Sequence, residues 1–143
     1  MQISERILLI VAAVVTAMSA LFCIIALATP NWLAVSGTGL YCSGCSVPAS
    51  GLAIVAFILL IAATCVLILF LARIIPTSLR LLSIILLFLA AIFTLATFAS
   101  YWDSSAGYSY KLMVVANFFC YISSIITAFW LGGGYVATPT RQT

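Results

Sequence analysis

The sequence predicts an all-α membrane protein: an antiparallel bundle of four transmembrane helices carrying a small disulfide-stapled extracellular hairpin. Three observations predict it. Of 143 residues, 66% are hydrophobic and 5% are charged, and there is no histidine. A soluble domain is about half apolar and about a quarter charged, so the solvent for this chain is lipid. Four stretches, at about 7–28, 52–72, 79–100 and 112–131, reach the roughly 20 apolar residues that cross a hydrocarbon core of about 30 Å. Finally, the basic residues alternate between the two ends of those stretches. Arg6, Arg73, Arg80 and Arg141 fall on one side and Lys111 on the other, which places both termini and the middle connection in the cytoplasm by the positive-inside rule.

Residues 1–143 read as a single four-helix transmembrane domain. The first span follows a charged start but is too long for the core of a signal peptide, and the "TPNW" after it lacks a small-residue cleavage pattern. Ala12, Thr16 and Ala20 recur every fourth residue along it, a row that lets another backbone approach. The first outer loop, about 29–50, is the one connection with room for structure of its own. The second and third spans are joined by the short turn "ARIIPTSLR", where Pro76 ends one helix and Thr77 or Ser78 can cap the next. The third span carries the small row Ala90, Thr94 and Thr97, and the fourth carries Ser124, Thr127 and Ala128. We read these rows as helix interfaces in preference to a substrate-lining stripe. The outer connection "YWDSSAGYSYK" is brief, which makes the third and fourth helices neighbours. Trp32 and Trp102 fall at outer ends and Trp130 at an inner end, where indole rings favour the headgroup level.

Asn117 is the most polar residue inside a span. An unpaired amide in lipid is costly, so it is expected to bond a neighbouring helix or a partner protein. Phe118, Phe119 and Tyr121 around it supply aromatic contact area of the kind that anchors interfaces. Together these four residues form the candidate partner-binding stretch.

The composition also excludes. Five basic residues are too few for a nucleic-acid footprint. No ionisable residue and no Gly/Pro-broken helix lies inside a span, which argues against an ion or proton pathway built by one copy of the chain. The sequence offers no catalytic or cofactor-binding constellation and no metal site.

Five cysteines divide by position. Cys23, Cys65 and Cys120 lie within spans, where a thiol behaves as a small hydrophobe. Cys42 and Cys45 face an oxidising compartment in this orientation, so a disulfide is expected. The spacing C-S-G-C suits a β-turn with Gly44 at its third position, which brings the flanking Cα atoms within about 7 Å. Zinc is set aside, because two thiols supply half a tetrahedral site and no histidine completes it.

Two resemblances follow from these residues. Four spans, cytoplasmic termini and the Cys42/Cys45 pair after the first helix are similar in layout to the DsbB family of quinone-dependent, disulfide-forming enzymes. That resemblance implies a membrane thiol-disulfide oxidoreductase, whose relay requires a second cysteine pair; "YWDSSAGYSYK" has none. More specific is the run Trp32, Gly39, Leu40, Tyr41, Cys42 and Cys45. It resembles the first-loop signature of the claudin, peripheral myelin protein and epithelial membrane protein superfamily, and the four-span layout extends the likeness over nearly the whole chain. Tyr41 stands where that signature has tryptophan, and the cysteines are much closer together.

The resemblance implies a non-enzymatic protein of the plasma membrane, at cell junctions or within a larger membrane complex. Its partners would be lipid and a channel, receptor or junction protein, or further copies of itself. The loop holds no charge between Thr29 and Ser50, which speaks against a selective paracellular pore and for an accessory role. Its length allows one hairpin, Leu33–Ser36 against Gly39–Cys42 or a slightly later segment. A MARVEL-like vesicle or junction protein has a similar length and span count without the Trp-Gly-Leu-aromatic-Cys pattern. The tail "TRQT" lacks the apolar terminus of a PDZ ligand.

This reading fixes a topology that can be measured. A glycosylation acceptor in a lengthened Ala34–Gly37 segment should be modified in microsomes, whereas one added after Arg141 should not. Thiol labelling of the mature protein should leave Cys42 and Cys45 unmodified until reductant is added; free thiols at both would overturn the disulfide.

Overall fold

The structure, a computed structural model, describes residues 3–30, 47–74, 76, 79–100 and 107–136. Four α-helices account for nearly all of them: α1 (Ile3–Ala28), α2 (Val47–Leu71), α3 (Arg80–Ala99) and α4 (Tyr108–Val136). All four are long and apolar enough to cross a membrane. They mark the chain as a multi-pass membrane protein. Each sits over its predicted span. α4 runs further at both ends than the apolar stretch 112–131, because helix continues into the polar flanks. α2 also starts earlier than predicted, at Val47, so the first outer connection is shorter than the expected 29–50. Trp32, Gly39, Leu40, Tyr41, Cys42 and Cys45, with the hairpin and disulfide expected there, lie outside the described residues.

The helices pack as a ring in chain order, α1 against α2, α2 against α3, α3 against α4, with α4 closing back on α1 through the most extensive of the four interfaces. The short connections after α2 and after α3 make those pairs antiparallel neighbours.

The interior follows one rule on every helix. Buried positions step alternately by three and four residues: 9, 12, 16, 19, 23, 26 on α1; 49, 53, 56, 60, 63, 67, 70 on α2; 83, 87, 90, 94, 97 on α3; and 109, 113, 116, 120, 123, 127, 130 on α4. That is the 3.5-residue period that keeps a seam facing its neighbour in a left-handed bundle. Most of these positions hold Ala, Ser, Thr or Cys. Lipid tails are as apolar as leucine, so helices gain little by burying bulk and much by bringing backbones close. The predicted small rows Ala12–Thr16–Ala20 and Ala90–Thr94–Thr97 are buried accordingly. On α4 Thr127 is buried as predicted, but its companions are not: Ser123 is buried where Ser124 was expected, Ser124 is only half-buried, and Ala128 is exposed. The outer surface carries Ile, Leu, Val and Phe side chains from all four helices, as a lipid-facing wall requires.

At the end holding the basic turn, bulk replaces small residues. Phe70 and Trp130 lie buried with ring centroids 5.6 Å apart, and the Arg80 guanidinium sits 4.9 Å from the centre of the Trp130 ring. Trp130 is thus at the predicted end of its span, but it points into the bundle rather than toward headgroups. The N-cap of α3 is Leu79, without a side-chain cap bond, in place of Thr77 or Ser78.

α2 ends in a Schellman motif. The N–H of Ile74 donates to the Leu69 carbonyl at 3.1 Å and that of Arg73 to the Phe70 carbonyl at 3.0 Å. The motif needs a left-handed residue, and here Arg73 takes it at φ 59°. A side chain in that region costs about 1 kcal/mol or more relative to glycine. Arg73→Gly should therefore raise the stability of the purified protein by about 1 kcal/mol in a thermal or denaturant melt, and Arg73→Ala should not.

Candidate interaction surface

Function in a bundle of this kind depends on which side chains are consumed by the fold and which are left over. No water is available inside a bilayer to satisfy a hydroxyl or amide, and each must find its partner within the protein.

Several hydroxyls close on their own helix. Thr64, Thr94, Thr97, Ser124 and Thr127 each donate to the carbonyl four residues earlier at 2.8–3.0 Å. Others bridge helices, and these gather on α4. Thr16 meets Ser123 at 2.5 Å, and the Ser123 hydroxyl also lies 3.1 Å from the Ala12 carbonyl. Ser19 donates to the Ala116 carbonyl at 2.7 Å, the Cys23 thiol to the Met113 sulfur at 3.8 Å, and Thr29 meets Ser109 at 2.6 Å. The result is a ladder of polar contacts along the α1–α4 seam, from the middle of the bundle to the end holding Thr29 and Ser109.

On its other side α4 is tied to α3. Asn117, 6% exposed, donates through Nδ2 to the Ala91 carbonyl at 3.0 Å and lies 2.6 Å from Thr94 Oγ1. The Cys120 thiol donates to the Leu87 carbonyl at 3.4 Å. The sequence left open whether Asn117 bonds a neighbouring helix or a partner. The structure gives its amide N–H groups to the neighbouring helix.

The four candidate partner-binding residues therefore separate. Asn117 points between α3 and α4. Phe119 stacks on Phe22 of α1 with centroids 5.6 Å apart and planes within 8°. Phe118, 64% exposed, and Tyr121, 39% exposed, point outward. They belong to a longer outward stripe with Ile125 and Phe129, which are also exposed. Beside it, Ile125, Ala128, Phe129 and Gly132 line a shallow apolar groove of about 370 Å³. A Cβ added at Gly132 would meet nothing within 4 Å. Sequence reasoning missed Ile125, Phe129 and Gly132, and assigned Ala128 to a helix interface when it faces outward. The signal was present, since 118, 121, 125, 128 and 132 repeat the 3.5-residue step of the buried seam on the opposite face. A second apolar groove, of about 460 Å³, opens between α1 and α2, lined by Ala17, Ala20, Leu21, Ile24, Phe57, Ile61, Thr64 and Cys65. Among the described residues no three metal-binding side chains come together.

The inward and outward roles separate by mutation. Asn117→Ala should lower stability by about 0.5–2 kcal/mol, the range of an interhelical bond in a membrane. Phe118→Ala should change it by less than about 0.5 kcal/mol, as surface substitutions do. Thermal melts in one detergent compare the two directly; equal losses would contradict the assignment. Comparisons of this chain with known protein families, with curated proteins and with solved structures find no match.

Proposed function

We propose that this chain is a non-enzymatic four-span protein that works as an accessory subunit of a larger membrane complex, through the outward face of α4. The observation that carries this reading is the division of labour on that helix. Its seam polar groups are spent on α1, on α3 and on its own backbone, while Phe118, Tyr121, Ile125 and Phe129 form an aromatic and aliphatic stripe beside a groove lined by Ala128 and Gly132. Large apolar side chains beside small ones offer a partner helix both contact area and close backbone approach.

The first-loop run from Trp32 to Cys45 supports placement near the claudin-like superfamily, in the plasma membrane with cytoplasmic termini. The loop is too short to bury by itself about 800 Å² per partner, the usual share of a stable interface, which favours recognition within the membrane. Partners of the right chemistry are a transmembrane helix of a channel, receptor or junction protein, or another copy of this chain.

Two substitutions test the surface without touching the core. Gly132→Leu and Ile125→Trp should abolish stoichiometric co-purification of the membrane partner from mild detergent, an affinity loss of about thirtyfold or more. The melting temperature should stay near wild type, because neither site is buried. If both are silent and substitutions at Leu40 or Tyr41 dissociate the complex, recognition is extracellular and the junction or adhesion role replaces this one.

A further inference from the structure

We infer that Arg80, held against the Trp130 ring at the basic end of the bundle, is a binding site for the phosphate of an anionic phospholipid. This site is separate from the α4 outward stripe and does not depend on it.

Arg80 opens α3 and is the first residue of its apolar span, so its Cα stands where the bilayer changes from hydrocarbon to headgroups. A free arginine side chain at such a boundary samples many rotamers. This one does not have that freedom, because its guanidinium lies 4.9 Å from the centre of the Trp130 ring, and Trp130 is itself 2% exposed and packed on Phe70. The ring covers the cation and buries Nε, which has no hydrogen-bond partner. No ion pair or hydrogen bond to the guanidinium is formed among the described residues. The result is a cation held over an aromatic ring, whose outer N–H donors are not spent on the described residues.

A phosphodiester is the group that fits. Arginine presents parallel donors in a plane that matches two phosphate oxygens, and the charge-assisted pair gains strength at a partly dehydrated boundary. The surrounding charge agrees. Arg6 and Arg73 are exposed at the same end of the bundle, where Glu5 is the one carboxylate among the described residues, so the local field favours an anion. Phosphate groups of the bilayer itself are concentrated at this depth. Anionic lipids gain from such a field, while a zwitterionic headgroup brings its own cation to the site.

The test uses the full-length protein in mixed micelles of phosphatidylcholine and phosphatidylglycerol, with lipid adducts counted by native mass spectrometry. Wild type should retain phosphatidylglycerol in preference to phosphatidylcholine. Arg80→Gln should reduce retained phosphatidylglycerol about fivefold to tenfold, the scale of losing one well-placed cation. Arg80→Lys should fall between the two, because it keeps the charge without the planar fork. Arg73→Gln, which removes an exposed charge from the same end, should have a much smaller effect. Millimolar inorganic phosphate should not displace the lipid, whose chains hold it in the micelle. Equal losses for Arg73→Gln and Arg80→Gln would reduce the site to diffuse surface charge and overturn the inference. So would displacement by free phosphate. Should Arg80→Gln fail to fold, wild type alone decides: no preference for phosphatidylglycerol over phosphatidylcholine also overturns it.

Discussion

Everything in this molecule depends on how closely four helix backbones can approach one another in a medium that does not push them together. In water, burying leucine is worth roughly 25 cal/mol per Å² of apolar surface. In lipid that gain vanishes, and what remains is dispersion between well-fitted surfaces and hydrogen bonds with no competing solvent. The seams answer both demands with one set of residues. Alanine, serine, threonine and cysteine are small enough for close approach, and three of the four bring a polar hydrogen that must be satisfied nearby. On α1 and α4 they satisfy one another across the interface, as at Thr16 with Ser123 and Thr29 with Ser109. α2 lies at the other extreme. Its seam is Ala49, Ala53, Ala56, Leu60, Ala63, Leu67 and Phe70, seven apolar side chains whose contribution is fit.

That asymmetry has a structural consequence. α4 sits between α1 and α3 and is bonded to both, so it is the helix whose orientation about its own axis is best determined. Rotating it by one residue would break the contacts of Asn117, Cys120 and Ser123 together. A helix pinned in this way presents its opposite face rigidly. Rigid presentation matters for recognition because a surface that is already ordered loses less entropy when a partner docks. The internal polar ladder and the external apolar stripe are therefore two aspects of one register.

The same logic explains what the sequence made legible. Four spans, their order and the small rows on α1 and α3 follow from hydropathy and spacing, because lipid imposes a length and close packing imposes a period. The rotation of α4 did not follow. Ser123 and Ser124 are adjacent and chemically identical, and only the seam through Ala116, Cys120, Ser123 and Thr127 tells them apart. Asn117 was recognisable as a residue needing a partner, yet its direction depends on that same rotation. The pairing of Arg80 with Trp130 joins positions fifty residues apart through the antiparallel register of α3 and α4, and no local pattern announces it. The first-loop run from Trp32 to Cys45 is the reverse case: informative as sequence, and outside the described residues.

The two ends of the bundle differ in kind, and the difference bears on what the protein can do. At the end away from the basic turn, the α1–α4 seam finishes in the small polar pair Thr29 and Ser109. The other end is plugged by Phe70 and Trp130 and covered by the Arg80 cation. A central path for ions would require polar or charged groups lining it through the membrane. The seam residues instead pair their hydroxyls with neighbouring backbone and side chains, and the plug fills the axis with aromatic rings. The chemistry left unspent lies outside the axis, in an apolar stripe along α4 and a cation held over an aromatic ring at the headgroup boundary. This arrangement supports the proposed role in the plane of the membrane, in which the chain holds a neighbouring helix and a lipid.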